Sequence, residues 1–321
     1  MRYLQRNGLF LILISAAGYS FFPIFTKLIY DNGINNPLDV LAWRFLLAAP
    51  LTWAFMFLRT YRSSKAVRTP LPLRPLLAMG LLFGFVAMMA FLALRQLPVS
   101  LYTVLIYTYP AMVALGSVVL GERLSLLGWL ALGLTLIGVV LTVPNIFNGF
   151  TGVNPLGIIL VLLNAASYAT YILASNRILR GQDNLMGASA WSISGSLVFV
   201  IVMLIVRGIS GDRLAMPENA TAVGGLIGLV VISTVIPIFT FYIGMQYLGA
   251  ARAAIVSMIE PVLTLGWAFL LQGETLTAIQ VAGAGCILVS VLLLQLRGDD
   301  RKQIPTWQNQ PQAGEYREAN S

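Results

Sequence analysis

An acidic side chain deep inside an apolar run is the residue of this chain best placed to do chemistry. Glu260 stands in the stretch SMIEPVLTLGWAFLL, directly before Pro261. An ionised carboxylate at the centre of a lipid bilayer costs at least about 2.5 kcal/mol, so such a group faces a cavity, finds a partner or carries a proton. Proline removes a helix hydrogen bond and can bend the helix, which opens space beside the carboxylate. Two readings follow. Glu260 contacts the amine of a bound small molecule or exchanges a proton, or it is a structural carboxylate bonded to backbone amides that Pro261 leaves free. Arg44, about a turn into the apolar run from Val40, also has two readings. It binds a carboxylate, or it pairs with an acid such as Asp39 and anchors the helix end, as Lys27 does at the end of the first run.

Other polar groups in the apolar runs have helical spacing. Asn164, Ser167, Tyr168 and Tyr171 are 3, 4 and 7 residues apart, which puts them on one helix face. That face is either a cavity wall or a seam of interhelical hydrogen bonds, which uses the same residue types. Tyr107, Tyr19, Tyr102, Trp191, Tyr242 and Trp267 add aromatic and hydroxyl groups to the same set. Tyr30 and Trp53, near segment ends, read as interfacial belt residues. Pro110 and Pro261 lie within predicted helices and serve as hinges, as do Pro23, Pro50 and Pro237. Glu122 and Glu274 follow glycines at segment ends, where each carboxylate can cap the next helix. Gly80/Gly84 and Gly224/Gly228 read as close-packing positions.

Much chemistry is excluded. The chain has no histidine, which removes His-based triads and metal sites, and its single cysteine, Cys286, allows no internal disulfide and no Cys-based zinc site. No GxxxxGK[ST] motif is present, so the chain carries no nucleotide-driven motor. No catalytic residue, metal or cofactor is expected.

The elements that position these residues follow from composition. Of 321 residues, 58% are hydrophobic and only 10% charged, against about a quarter charged in an ordinary soluble domain. The expected fold class is an all-α polytopic membrane protein. Ten apolar segments of about 20 residues can be placed, near Leu9–Thr26, Val40–Leu58, Pro75–Leu94, Leu97–Leu120, Leu124–Val143, Pro155–Ser175, Leu185–Val206, Ala222–Tyr247, Gly249–Leu271 and Leu276–Leu296. Of the 20 Lys and Arg residues, Arg95, Arg207 and Arg213 fall on one side, Lys27 and Arg44 fall in helices, and the other fifteen share the side of the N-terminus. The positive-inside rule then places both termini in the cytoplasm. The net charge of +8 is read as this loop bias and not as a nucleic-acid patch. Residues 297–321 turn polar and aperiodic, as in a disordered cytoplasmic tail.

The chain also repeats itself. Leu97 to Pro110 and Leu248 to Pro261 are each 13 residues apart, and each proline is followed by an apolar run and a Gly-Glu pair, Gly121-Glu122 and Gly273-Glu274. The expected organisation is a first five-helix repeat over 1–143, a linker at 144–154 and a second repeat over 155–296. Five is odd, so the second repeat enters the membrane inverted. Inverted repeats place a substrate site near the midplane, at the interface of the halves, and let the halves rock around it.

These features resemble the drug/metabolite transporter superfamily, in its ten-helix form with two EamA domains. Trp43-Arg44-Phe45, the Pro110 to Gly121-Glu122 block and the Glu260-Pro261 to Gly273-Glu274 block carry the resemblance, which spans about Leu9–Leu296. It implies a carrier in the cytoplasmic membrane, without a covalent cofactor, that exports amino acids, related metabolites or drugs by alternating access. The expected partners are the lipid bilayer and a small-molecule substrate, with protons the candidate coupling ion and monomer and homodimer both open. A channel, or a non-transporting receptor or scaffold, is the alternative. Charged rings or a repeated filter motif, the usual marks of a channel, are not found in the sequence.

Overall fold

The computed structural model describes residues 2–34, 36–62, 70–97, 102, 105–122, 124–142, 154–182, 184–209, 213–272 and 277–296. Gly273-Glu274, residues 144–153 of the expected linker and the tail 297–321 lie outside the described residues. Those described form helices and connections, with no strand among them. In chain order the helices are α1 (Arg2–Ser20), α2 (Phe22–Tyr30), α3 (Pro37–Arg62), α4 (Leu73–Gln96), α5 (Tyr109–Val119), α6 (Leu126–Thr142), α7 (Pro155–Ile178), α8 (Leu185–Ile209), α9 (Ala220–Val230), α10 (Ile236–Leu248), α11 (Ala250–Ser257), α12 (Glu260–Gln272) and α13 (Ala278–Leu296). A π-helical turn, Val231–Val235, joins α9 to α10.

Six helical stretches are long and apolar enough to cross a membrane: Asn7–Tyr30, Pro37–Phe57, Leu73–Ala93, Pro155–Ile178, Leu185–Ile209 and Ala220–Leu248. Shorter apolar helices accompany them at Tyr109–Val119, Leu126–Thr142 and Ala278–Leu293. Large apolar side chains stand on outward faces, among them Val119, Leu126 and Ile209, each more than three-quarters exposed. In water so much exposed apolar surface would drive association; facing lipid it has no such cost. The protein is a polytopic, all-helical membrane protein.

The helices start where local chemistry allows. Pro155 opens α7, and the Asn154 side chain before it accepts from the Leu156 amide at 3.0 Å. Asn219 caps α9 in the same way, accepting from Ala222 N at 2.8 Å. Between α10 and α11 no polar loop is needed. Gly249, at φ +80°, reverses the chain in one residue while its N–H returns to the Met245 carbonyl.

Two expectations about the prolines change. Pro110 and Pro261 do not kink continuous helices. The chain breaks just before each of them, in turns at Tyr107–Thr108 and Met258–Ile259, and each proline sits in the first turn of a new helix. A proline there gives up an N–H that would have had no partner anyway. Pro50, by contrast, sits inside uninterrupted α3.

Packing joins elements that are far apart in sequence. The most extensive contacts are α6 with α13, α4 with α7 and α8, α1 with α10, and α3 with α8. Each pairs a helix from before residue 143 with one from after residue 154. At the α4–α8 crossing the backbones nearly touch. A Cβ on Gly80 would lie 1.9 Å from the Ser192 carbonyl oxygen, and one on Gly195 would lie 2.3 Å from that of Leu77. Of the expected close-packing glycines, Gly224 differs, with open space where its Cβ would be.

Gly80→Val is expected to destabilise the protein by about 1–3 kcal/mol or more, because backbone and not a flexible side chain occupies the space. Gly224→Ala should leave stability unchanged or slightly raised. Thermal unfolding in detergent compares the two; equal melting temperatures for both variants would contradict the crossing geometry.

Candidate functional site

The two breaks face one another. Tyr107, in the turn before α5, hydrogen-bonds to the carboxyl group of Glu260, the first residue of α12. A carboxylate at a helix N-terminus is also favoured by the helix dipole. Glu260, Tyr19, Tyr102 and Tyr168 are each half-buried, and the three tyrosines lie within electrostatic reach of Glu260. Tyr109, buried, adds a further ring, edge-on to Tyr168 with centroids 4.7 Å apart.

Arg44 is buried at the other side of this tyrosine cluster. Its Nε donates to Thr234 Oγ1 at 2.7 Å and its Nη2 to the Ser233 carbonyl at 3.3 Å. Its guanidinium lies 5.1, 5.5 and 5.9 Å from the ring centres of Phe22, Phe45 and Phe83. These rings stabilise the cation without neutralising it. Tyr19 and Tyr168 lie within electrostatic reach of both Arg44 and Glu260. No ion pair joins Arg44 to Glu260 among the described residues. A cation and a carboxylate therefore flank one aromatic, hydroxyl-rich cluster.

The expectation that Arg44 pairs with Asp39 is corrected. Asp39 is taken by Arg207, at the far end of α8, and the pair ties α3 to α8. Arg44 is one helical turn further on than Asp39 and reaches the π-helical turn instead.

The helix-face residues divide. Asn164 Nδ2 donates to Tyr102 OH at 3.1 Å, and Tyr168 belongs to the tyrosine cluster. Ser167 is buried beside it. Tyr171 is within electrostatic reach of Arg44, but its hydroxyl is bonded to Tyr242 OH at 2.8 Å, which in turn donates to Ser192 Oγ at 3.1 Å. Tyr171 thus belongs to the packing that backs the cluster as much as to the cluster. Trp267 donates to Ser20 Oγ at 2.9 Å and stacks on Phe21, holding α12 against the junction of α1 and α2. Trp191 and Trp53 pack edge-to-face at 5.2 Å, away from Glu260, and Trp53 Nε1 donates to Ser194 Oγ. Trp53 therefore seals the α3–α8 seam and is no free belt residue.

Among the described residues Ser125, and not Glu122, caps α6, accepting from Gly128 N at 3.2 Å. The Glu122 carboxylate instead crosses to α7, accepting from Asn176 Nδ2 at 2.8 Å with Arg180 at 3.5 Å. A cavity of about 20 Å³ lies beside it, lined by Ser117, Gly249 and Arg252 among others. That is room for one water molecule, next to the buried Ser117 hydroxyl, which has no partner among the described residues.

Sequence reasoning missed Tyr109, Ser233, Thr234 and Phe83. Tyr109 had a signal, since it abuts Pro110 two residues after Tyr107. Thr234 and Ser233 had none, because serine and threonine in apolar helices usually bond their own backbone.

The comparisons with known proteins agree with this architecture. The EamA-like transporter family matches over residues 6–143 and again over 155–296. An uncharacterized transporter of Bacillus subtilis is 25% identical over 300 residues, covering 90% of this chain and 93% of the relative. An uncharacterized inner membrane transporter of Escherichia coli is 26% identical over 265 residues, covering 81% and 82%. A probable amino-acid metabolite efflux pump of Salmonella typhimurium is 28% identical over 267 residues, covering 80% and 85%. One solved structure, at 18% identity, superposes with a TM-score of 0.75 over 90% of this chain and 96% of its own length, a likeness of fold. With the family model matching each half of the chain in turn and helices breaking at corresponding prolines, this protein is a member of the EamA-like transporter family.

Proposed function

We propose that the protein exports a small zwitterionic metabolite of amino-acid type across the cytoplasmic membrane by alternating access. The observation that carries this reading is the placement of Arg44 and Glu260 at one tyrosine cluster, with no ion pair between them among the described residues. A solute bearing a carboxylate and an ammonium group satisfies both. The tyrosine faces and hydroxyls accept its apolar and polar remainder. The name of the Salmonella relative, a probable amino-acid metabolite efflux pump, supports the same substrate class.

In this reading the chain makes ten crossings, as two inverted five-helix repeats over 1–143 and 155–296, joined at 144–154. The support is the break that recurs at Tyr107–Thr108 and Met258–Ile259, at the same distance before each repeat's proline. Broken helices at the repeat interface are where carriers of this construction bind substrate. Glu260 serves as the coupling residue: it holds either the substrate ammonium or a proton, and exchange of one for the other links the two fluxes. Asn164, Ser167 and Tyr168 complete the wall. A channel would need a continuous polar pore; the convergence of Arg44, Glu260 and the tyrosines on one cluster supports a carrier instead.

Glu260→Gln keeps the shape and the hydrogen-bonding capacity but removes the charge. It should insert and melt like wild type, yet lose proton-coupled flux in proteoliposomes under an imposed pH gradient. Unchanged flux with unchanged pH dependence would make Glu260 a structural residue and overturn its coupling role. Saturable uptake that accelerates when unlabelled substrate is on the far side identifies a carrier; linear, non-saturable flux would identify a channel.

Both termini and the segment Arg59–Arg74 are assigned to the cytoplasm, from the fifteen cations on that side. Single cysteines introduced between Thr60 and Thr69, in a Cys286→Ala background, should resist a membrane-impermeant thiol reagent in intact cells. They should react after the membrane is opened. Labelling from outside would overturn the orientation.

A further inference from the structure

The guanidinium of Arg44 is fixed from three directions by groups that do not carry charge. Phe22, Phe45 and Phe83 meet it through their rings. One edge is held by the π-helical turn, through Thr234 Oγ1 and the Ser233 carbonyl. A guanidinium has five N–H donors, and the Nη1 arm is committed to none of the described residues.

The turn offers those two acceptors for identifiable reasons. The carbonyl of Ser233 would normally accept from the amide four residues on. That residue is Pro237, which has no N–H. The Thr234 hydroxyl donates its proton backward to the Leu229 carbonyl at 2.8 Å, five residues earlier, so its lone pairs are left to face Arg44. The reach of five residues fits the wider π geometry, in which the Ile236 amide also returns to the carbonyl of Val231. The Ser233 hydroxyl donates to the Gly18 carbonyl at 2.7 Å, which anchors the turn to α1 directly before Tyr19.

We infer that Thr234, with the Ser233 carbonyl, to which Pro237 offers no N–H, forms a positioning device that aims the free edge of Arg44 at the carboxylate of the transported solute. The proposal rests on the reading of Arg44 and Glu260 as the two ends of a zwitterion site. Thr234 is a positioning residue in this scheme, since it acts through Arg44. The device selects for planar, two-oxygen acceptors, because a guanidinium fixed along one edge presents a paired donor set on the other.

The test compares neutral amino acids with their C-terminal amides as pooled probes in proteoliposome counterflow, read by mass spectrometry. Wild type should carry the acids and discriminate against the amides. Thr234→Val should raise KM for the acids about tenfold, as expected for loss of a hydrogen bond to a charged group, with maximal flux largely kept. Its acid-to-amide preference should collapse accordingly. Thr234→Ser restores the hydroxyl and should restore the preference. Pro237→Ala returns an amide within reach of the Ser233 carbonyl and should weaken the preference in the same direction. If wild type carries no amino acid, the zwitterion reading fails and the inference with it. If wild type discriminates and both Thr234→Val and Pro237→Ala keep the wild-type ratio, the positioning role alone is overturned. An equal loss of acid and amide flux, with a lower melting temperature, would assign Thr234 to packing and overturn it as well.

Discussion

A backbone N–H or C=O that leaves its helix inside a lipid bilayer finds no water, so the protein itself must supply a partner. This chain breaks or widens its helices at several places within its apolar runs, and much of its tertiary structure answers that demand. The Ser233 carbonyl, beyond the reach of any amide at Pro237, is met by Arg44. The Gly18 carbonyl near the end of α1 is met by Ser233, and the Pro237 carbonyl by Ser15. Thr108 closes its own turn by donating to the Leu105 carbonyl at 2.7 Å. Several of these repairs join helices far apart in sequence, so the irregularities specify which helices must lie side by side.

The interleaving of the two parts of the chain follows. α1 lies on α10, α3 on α8, α4 on α7 and α8, and α6 on α13. Apolar burial cannot select these partners, because lipid tails are as apolar as leucine. Close backbone approach and a few polar contacts select them. Gly80 and Gly195 permit the one at the α4–α8 crossing. Asp39 with Arg207 and Glu122 with Asn176 and Arg180 supply the other at the two ends of the bundle.

The two charges beside the tyrosine cluster are stabilised by different means, and that difference suits the proposed site, which must bind and release. A direct Arg44–Glu260 pair would satisfy both and leave nothing for a solute. Arg44 is instead cushioned by three aromatic rings and a hydroxyl, which lower the cost of burying it without cancelling its charge. Glu260 has the Tyr107 hydroxyl and the positive end of its own helix. In the proposed function each keeps bonding capacity that a solute takes up in one state of a cycle and a proton or water in another.

The membrane-spanning class, the helical segments and the recurrence of the proline blocks were legible in the sequence, because they depend on composition and local spacing, which the bilayer reads directly. Glu260 and Arg44 were also legible as exceptional, since a charge inside an apolar run is costly wherever the run packs. The partners of those charges were not. Asp39 lies five residues from Arg44 and was the natural choice, yet Arg207 takes it, because α8 crosses α3 at that level. Glu122 was read as a cap for the next helix and reaches across to α7 instead. Thr234 carried no signal at all. Sequence by itself determined where the apolar segments lie, though not the new helix starts at Tyr109 and Glu260, and which charged residues had to be compensated. Only the tertiary structure decided who compensates them, because that depends on crossing helices meeting at one height in the membrane, a relation no local pattern encodes.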